Sequence, residues 1–191
     1  PIVFLAWSDA TYSISDLEVG EYLARITPNV AKTHDDLGKT YVRQGQYGQA
    51  IAEHQKAVEL DPEFARAYTH LGIAHSLSGD LERAIEFHLK AIRIDPEMAQ
   101  AHFNLGVDYF RAGKLLEAER AFKRSIEVDS QYIRAYKALS QVYKKQKNKS
   151  EYIKYTTQAR ELAKAGQRRE LSRSAMPWAT GTVLAQKKSL T

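Results

Sequence analysis

Six histidines are the residues of this 191-residue chain best suited to chemistry: His34, His54, His70, His75, His88 and His102. A neutral imidazole is a common metal ligand and a proton carrier near neutral pH. Metal sites legible in sequence show short ligand spacings, such as two histidines four apart on one helix face or paired cysteines. No two of these histidines are four apart, and the chain has no cysteine. Neither a metal nor a cofactor is therefore expected. His54 and His88 are the only pair whose spacing merits inspection. There is no HExxH, no phosphate-cradling glycine loop and no nucleophile motif. Asp80 with Glu82, and Glu117 with Glu119, fall where helices are expected to start, and a carboxylate there favours the helix dipole. They are structural before they are catalytic, so no enzymatic activity is expected.

Composition bounds the partners. The chain is 43% hydrophobic and lacks disulfide chemistry. No apolar run approaches the roughly 18 residues that span a bilayer. Charge is polarised: residues 1–132 carry 14 bases and 20 acids, whereas residues 133–191 carry 14 bases and 3 acids. A basic end on an acidic body suits an anionic contact (protein, phospholipid or nucleic acid) or a solvated cap.

The elements that must position these residues come from a 34-residue period. Leu37-Gly38, Leu71-Gly72 and Leu105-Gly106 recur at that spacing, as do Ala50, Ala84 and Ala118, and Pro28, Pro62 and Pro96. Such a period marks stacked helical hairpins, none of which buries its apolar face alone. Small residues at Gly72 and Ala84 allow close helix approach. Gly79 and Gly113 suit the positive φ of a helix end. Asp95-Pro96 is expected to stop one helix and start the next. First helices are predicted at 31–44, 65–78, 99–112 and 133–146, and second helices at 48–60, 82–94, 116–128 and 150–164. Ser15 and Glu18 form a capping box for a helix over 16–26. Residues 167–174 are compatible with an extension of the last helix.

The pattern resembles the tetratricopeptide repeat (TPR), a pair of antiparallel helices. The first repeat offers His34, Leu37, Gly38, Tyr41, Ala50, His54, Ala57 and Pro62 for its characteristic positions. The second offers Tyr68, Leu71, Gly72, His75, Ala84, His88, Ala91 and Pro96. The third keeps His102, Leu105, Gly106, Tyr109, Ala118 and Phe122, and the fourth keeps Tyr136, Leu139, Tyr143 and Ala159. Five histidines thereby occupy core or aromatic positions. The resemblance implies an all-α, right-handed α-solenoid of about four helix-turn-helix repeats plus an N-terminal half repeat. It implies the division 1–30 for an N-terminal extension with that half repeat, 31–64, 65–98, 99–132 and 133–166 for the repeats, and 167–191 for a basic C-terminal extension.

In that family the first helices line a concave, protein-binding groove. Carried over by position, the groove residues are Lys32, Asp35, Asp36, Lys39 and Arg43 from the first repeat, and Arg66, Thr69, His70 and Ile73 from the second. The third gives Gln100, Phe103, Asn104, Val107, Phe110 and Arg111, and the fourth Arg134, Lys137, Gln141, Lys144 and Lys145. Bases outnumber acids, so an extended or acidic peptide is the expected ligand. Some relatives clamp a carboxylate tail with Lys and Asn of one repeat, Asn of the next, and Lys and Arg of a third. Aligned from the second repeat, this chain has Thr69, Ile73, Asn104, Arg134 and Ala138, of which only Asn104 and Arg134 fit, so that clamp is not expected. Apolar residues at the chain ends, Phe4, Trp7, Trp178, Val183 and Leu184, are expected contacts for a partner or for the protein itself.

These features together predict a non-enzymatic scaffold or adaptor that binds segments of other proteins as an accessory or assembly subunit of a larger complex. The competing expectations are a targeting or regulatory domain of a larger enzyme, and a basic tail that binds RNA or a membrane surface. Nucleic acid is not the expected partner, because the tyrosines fall at core positions. Membrane association would run through the apolar N-terminal segment or the basic tail.

Overall fold

The computed structural model describes residues 15–174. Among these residues all regular structure is helical: α1 (Asp16–Ile26), α2 (Ala31–Arg43), α3 (Tyr47–Leu60), α4 (Ala65–Ser78), α5 (Leu81–Ile94), α6 (Ala99–Arg111), α7 (Leu115–Val128), α8 (Ile133–Lys145) and α9 (Lys149–Ser174). The chain divides into two compact units, the first ending at Pro96 and the second starting at Glu97. In the first unit α2 pairs with α3 and α4 with α5, while α1 packs on α2 and α3 on α4. In the second, α6 pairs with α7 and α8 with α9, and α7 packs on α8. First helices also touch each other, α2 with α4 and α6 with α8. This is the all-α repeat solenoid that the 34-residue period predicts.

Close approach within the first three pairs follows from one glycine and one ring; in the fourth, Ser140 and Thr156 stand at those positions. A Cβ placed on Gly38 would lie 2.6 Å from His54 Cε1, and one on Gly72 would lie 2.6 Å from His88 Cε1. At Gly106 it would lie 2.7 Å from the Phe122 ring. The flat ring of the second helix therefore rests on the bare backbone of the first, and His54 and His88 stand in for Phe122.

The hairpin turns obey the same period. Gly45, Gly79 and Gly113 take φ 74°, 98° and 76°; in the fourth hairpin Lys147 adopts φ 57° in their place. The amide after each turn residue reaches back across the helix end: Gln46 to Tyr41 O, Asp80 to His75 O, Lys114 to Tyr109 O and Asn148 to Tyr143 O, at 2.9–3.0 Å. Between hairpins the expected role of Pro96 is corrected. Helix α6 starts at Ala99, so the proline lies in the turn and not in the helix's first turn. In the turn after α3, Asp61 Oδ1 accepts the Glu63 N–H at 3.1 Å, and after α7 Asp129 Oδ1 accepts the Gln131 N–H at 2.9 Å. An Asp side chain can close such a turn on its own, so Ser130 suffices where proline stood before.

The ends differ from the repeats. The Ser15 capping box forms as predicted, with Ser15 Oγ accepting the Glu18 N–H at 3.2 Å and the Glu18 carboxylate accepting the Ser15 N–H at 2.8 Å. Helix α1 buries no residue, yet it lies against α2 as α3 lies against α4. Gly20 permits this, since a Cβ there would come 3.1 Å from Leu37 Cδ1. Helix α9 runs unbroken past Gly166 to Ser174, so the compatible segment 167–174 does extend the last helix beyond 164.

His75 connects the packing to pH. Its ring is buried and stacks on Phe87 with centroids 5.2 Å apart, 3.7 Å from Asp80. Burial pushes its pKa down, and Asp80 only partly opposes this. The unfolded chain therefore takes up this proton more readily than the folded one near the ordinary imidazole pKa of about 6.5. His75's contribution to stability is complete above that range and is lost as pH falls. The Tm should fall on acidification from about pH 7.5 to about pH 5.5. His75→Tyr, which installs the residue found at Tyr41, Tyr109 and Tyr143, should make that fall smaller. Equal falls in both proteins would contradict this reading.

Candidate protein-binding faces

In the first unit the predicted groove residues lie on α2 and α4. Lys32, Arg43 and Arg66 are exposed, and Lys39 is half-buried. Lys39 pairs with Asp36 and lies 3.9 Å from Asp35 Oδ2. Arg43 donates to Thr40 Oγ1 at 2.9 Å and approaches Asp16 at 3.9 Å. Lys39 and Arg43 together line a recess of about 380 Å³ between α1 and α2. Two of the bases expected to meet a partner are thus already balanced by acids of the same unit. Asp35 corrects the groove assignment more sharply: it is 1% exposed and lies beneath His70, whose Nδ1 is 2.7 Å from Asp35 Oδ1.

That contact belongs to a cluster the spacing did not reveal. Asp35 on α2, His54 on α3 and His70 on α4 place one ligand-type atom each within 4.8 Å of one another. Burial pushes the Asp35 carboxyl up, but the two imidazoles outweigh it and hold the group well below the usual carboxylate range. Burial pushes the His54 pKa down, and Asp35 opposes it in part. The three residues are 19 and 16 apart in sequence, so only knowledge of which helices touch would have found them.

Other pairings made by α2 were likewise not legible in the spacing. His34 uses both ring nitrogens, Nδ1 at 2.6 Å from Glu53 and Nε2 at 3.0 Å from the Pro28 carbonyl. Tyr41 donates to Glu21 at 2.8 Å, and burial and that carboxylate push its hydroxyl up to about 12. These residues border a cavity of about 610 Å³ framed by α1, α2 and α3. His34 is a packed, doubly bonded core residue, as its repeat position predicts.

The second unit presents a different face on α6 and α8. Phe103, predicted in the groove, is only 6% exposed and packs on Phe122 and Tyr132 in the core. Arg134 lies over its outer side, 4.7 Å from the ring centroid. Asn104 is half-buried, and among the described residues its Nδ2 has no hydrogen-bond acceptor. Arg111, Lys137 and Gln141 are exposed. Lys145 sits 4.4 Å over the Phe110 ring. Lys137 and Gln141 also border a cavity of about 590 Å³ between α8 and α9, shared with Tyr152, Thr156 and Arg160. The terminal candidates Phe4, Trp7, Trp178, Val183 and Leu184 lie outside the described residues.

Comparison with known proteins accords with this geometry. Family models described as "TPR repeat" match residues 38–79 and 76–113, and one described as "Tetratricopeptide repeat" matches 99–132. No curated protein sequence matches the chain. A crystal structure of MamA is 29% identical, with TM-score 0.71, covering 80% of this chain and 89% of that one. MamA (41-end) from Desulfovibrio magneticus RS-1 is 19% identical, with TM-score 0.69, covering 78% and 84%. The first TPR of Spaghetti (RPAP3), solved bound to the HSP90 peptide SRMEEVD, is 23% identical, with TM-score 0.58, covering 60% and 90%. With the 34-residue period, the glycine–ring contacts and these matches in agreement, the chain belongs to the tetratricopeptide-repeat family and is a protein-interaction scaffold.

Proposed function

We propose that the chain is a non-enzymatic subunit of a larger assembly and holds an extended, acidic segment of a partner protein on the α6/α8 face. The repeats over 31–166 form its body in this reading, with 1–30 and 167–191 as flanking extensions. The observation that carries the proposal is the Asn104 amide. Its buried Nδ2 lacks an acceptor, which is costly to leave unmade. Turned outward, the amide could donate to a peptide carbonyl, and its oxygen could take a peptide N–H in return. Around it, Arg111, Arg134 and Lys137 supply positive charge on exposed helix surface. On α2, Asp36 and Asp16 stand beside Lys39 and Arg43, so that helix offers an anionic ligand less charge than its bases alone suggest. The reading draws support from the first TPR of Spaghetti (RPAP3), a domain of this fold solved bound to an HSP90 peptide. Thr69, Ile73 and Ala138 lack the functional groups of the carboxylate clamp, which argues for a different acidic segment here.

Fluorescence anisotropy with a labelled Glu/Asp-rich peptide and its Lys-substituted counterpart tests this. The acidic peptide should bind and the basic one should not. Asn104→Ala should weaken binding by about tenfold, the order expected for one buried hydrogen bond. Lys137→Glu should weaken it further at low salt than at high salt, because exposed charges are screened. Equal binding of both peptides, or indifference to both substitutions, would contradict the proposal.

A further inference from the structure

We propose that Asp35, His54 and His70 form a binding site for one divalent transition-metal ion, with zinc the best-matched candidate, joining the first repeat to the second. The donor set comes first. Two imidazoles and one carboxylate are the three-ligand set of open zinc sites, and their softness favours zinc, copper, nickel or iron over calcium or magnesium. Each ligand comes from a different helix, α2, α3 and α4, so the set is fixed by tertiary packing.

The distances are those of a site near closure. Asp35 Oδ1 is 3.1 Å from His54 Nδ1 and 2.7 Å from His70 Nδ1. With metal–ligand bonds of about 2.0–2.1 Å, tetrahedral ligand atoms stand roughly 3.3 Å apart. Asp35 and His54 are both fully packed, whereas the His70 side chain keeps 14% of its surface exposed. His70 is therefore the ligand free to adjust, and its exposed side leaves a fourth position open to water.

The second observation concerns His54. It is wholly buried; its Nε2 has no hydrogen-bond partner, and its Nδ1 lies 3.1 Å from Asp35 Oδ1 without the alignment of a good hydrogen bond. Its ring is pinned flat against Gly38, so it cannot turn away to find one. An ion accepting the Nδ1 lone pair would satisfy that nitrogen and neutralise the Asp35 carboxylate. Among the described residues Lys39 approaches that carboxylate at 3.9 Å, on Oδ2, so the two imidazoles are the groups that face Oδ1, and an ion there would replace the His70–Asp35 hydrogen bond.

Tag-free protein, stripped with chelator and dialysed, should be titrated with Co²⁺ at neutral pH while visible d–d absorption is followed, then with competing Zn²⁺. The expected result is saturation at one equivalent, displacement by Zn²⁺, and a Tm that rises with added Zn²⁺ as ligand linkage requires. His70→Ala and Asp35→Asn should abolish the bands and the Tm rise, while His34→Gln leaves both intact. His70 is partly exposed, so His70→Ala should retain the helical circular dichroism and decides the matter even if Asp35→Asn does not fold. Absence of saturable absorption in the wild type, or bands that persist in folded His70→Ala, would overturn the assignment.

Discussion

Phe122→Ala is expected to destabilise the second unit by about 3–5 kcal/mol, the range for removing a fully buried aromatic ring. Phe122 is 1% exposed and packs with Ala118, Ala135, Leu139, Val142 and Tyr143. One face rests on Gly106, and its centroid is 5.7 Å from that of Phe103. Truncation opens a void on the glycine side, where there is no side chain to move in. It also removes the support of Phe103, over which Arg134 lies. Binding at the α6/α8 face should therefore weaken along with stability. Phe122→His, which restores the residue type of His54 and His88, should cost less than Phe122→Ala. Urea denaturation followed by far-ultraviolet circular dichroism measures both. A loss below about 1 kcal/mol for Phe122→Ala would mean that the core relaxes around the void, against the expectation for large-to-small changes.

The second large effect is a steric one. Gly72→Ala adds a methyl group at 2.6, 2.8 and 2.9 Å from His88 Cε1, Nδ1 and Nε2. The His88 ring is buried and cannot swing outward without opening the α4/α5 pair. Overpacking of this kind costs typically 1–3 kcal/mol, occasionally more, and here outweighs the helix-propensity gain of about 1 kcal/mol from glycine to alanine. Gly48 provides the internal control. It is helical, and a Cβ there meets nothing within 4 Å. Gly48→Ala should therefore stabilise by about 0.4–1 kcal/mol. Thermal unfolding of the two variants should show shifts of opposite sign. A neutral Gly72→Ala would refute the claim that ring-on-glycine contact sets the hairpin spacing.

Local rules explain why so much of the fold is legible in the residues. Leu71-Gly72, Ala84 and Gly79 each state a packing or backbone requirement, and repetition averages out their individual ambiguity. The observed starts and ends of α2 to α8 accordingly lie within one residue of those predicted. Helix α9 takes up the segment 167–174 as well, because nothing in that sequence stops it. Gly166 weakens a helix by only about 1 kcal/mol, and the flanking alanine, glutamine and arginine residues carry the chain through to Ser174. The candidate faces were legible only by position. Asn104, Arg134, Lys137 and Gln141 lie on exposed or half-exposed surface of α6 and α8. Asp35 and Phe103 carry the same positional signature yet are buried, because a neighbouring first or second helix covers them. Side-chain burial at such positions depends on what the adjacent hairpin places opposite, and spacing within one repeat does not contain that. The Asp35–His54–His70 cluster is the extreme case, since its members meet only through contacts among three helices.

The most direct test of the account is residue-resolved amide mapping of the ¹⁵N-labelled protein during titration with the acidic peptide. The account predicts saturable perturbations along α6 and α8, centred on Asn104, Arg134 and Lys137, with the Asn104 side-chain amide among the most affected. Perturbations confined to α3 and α5, or none at peptide excess, would contradict it.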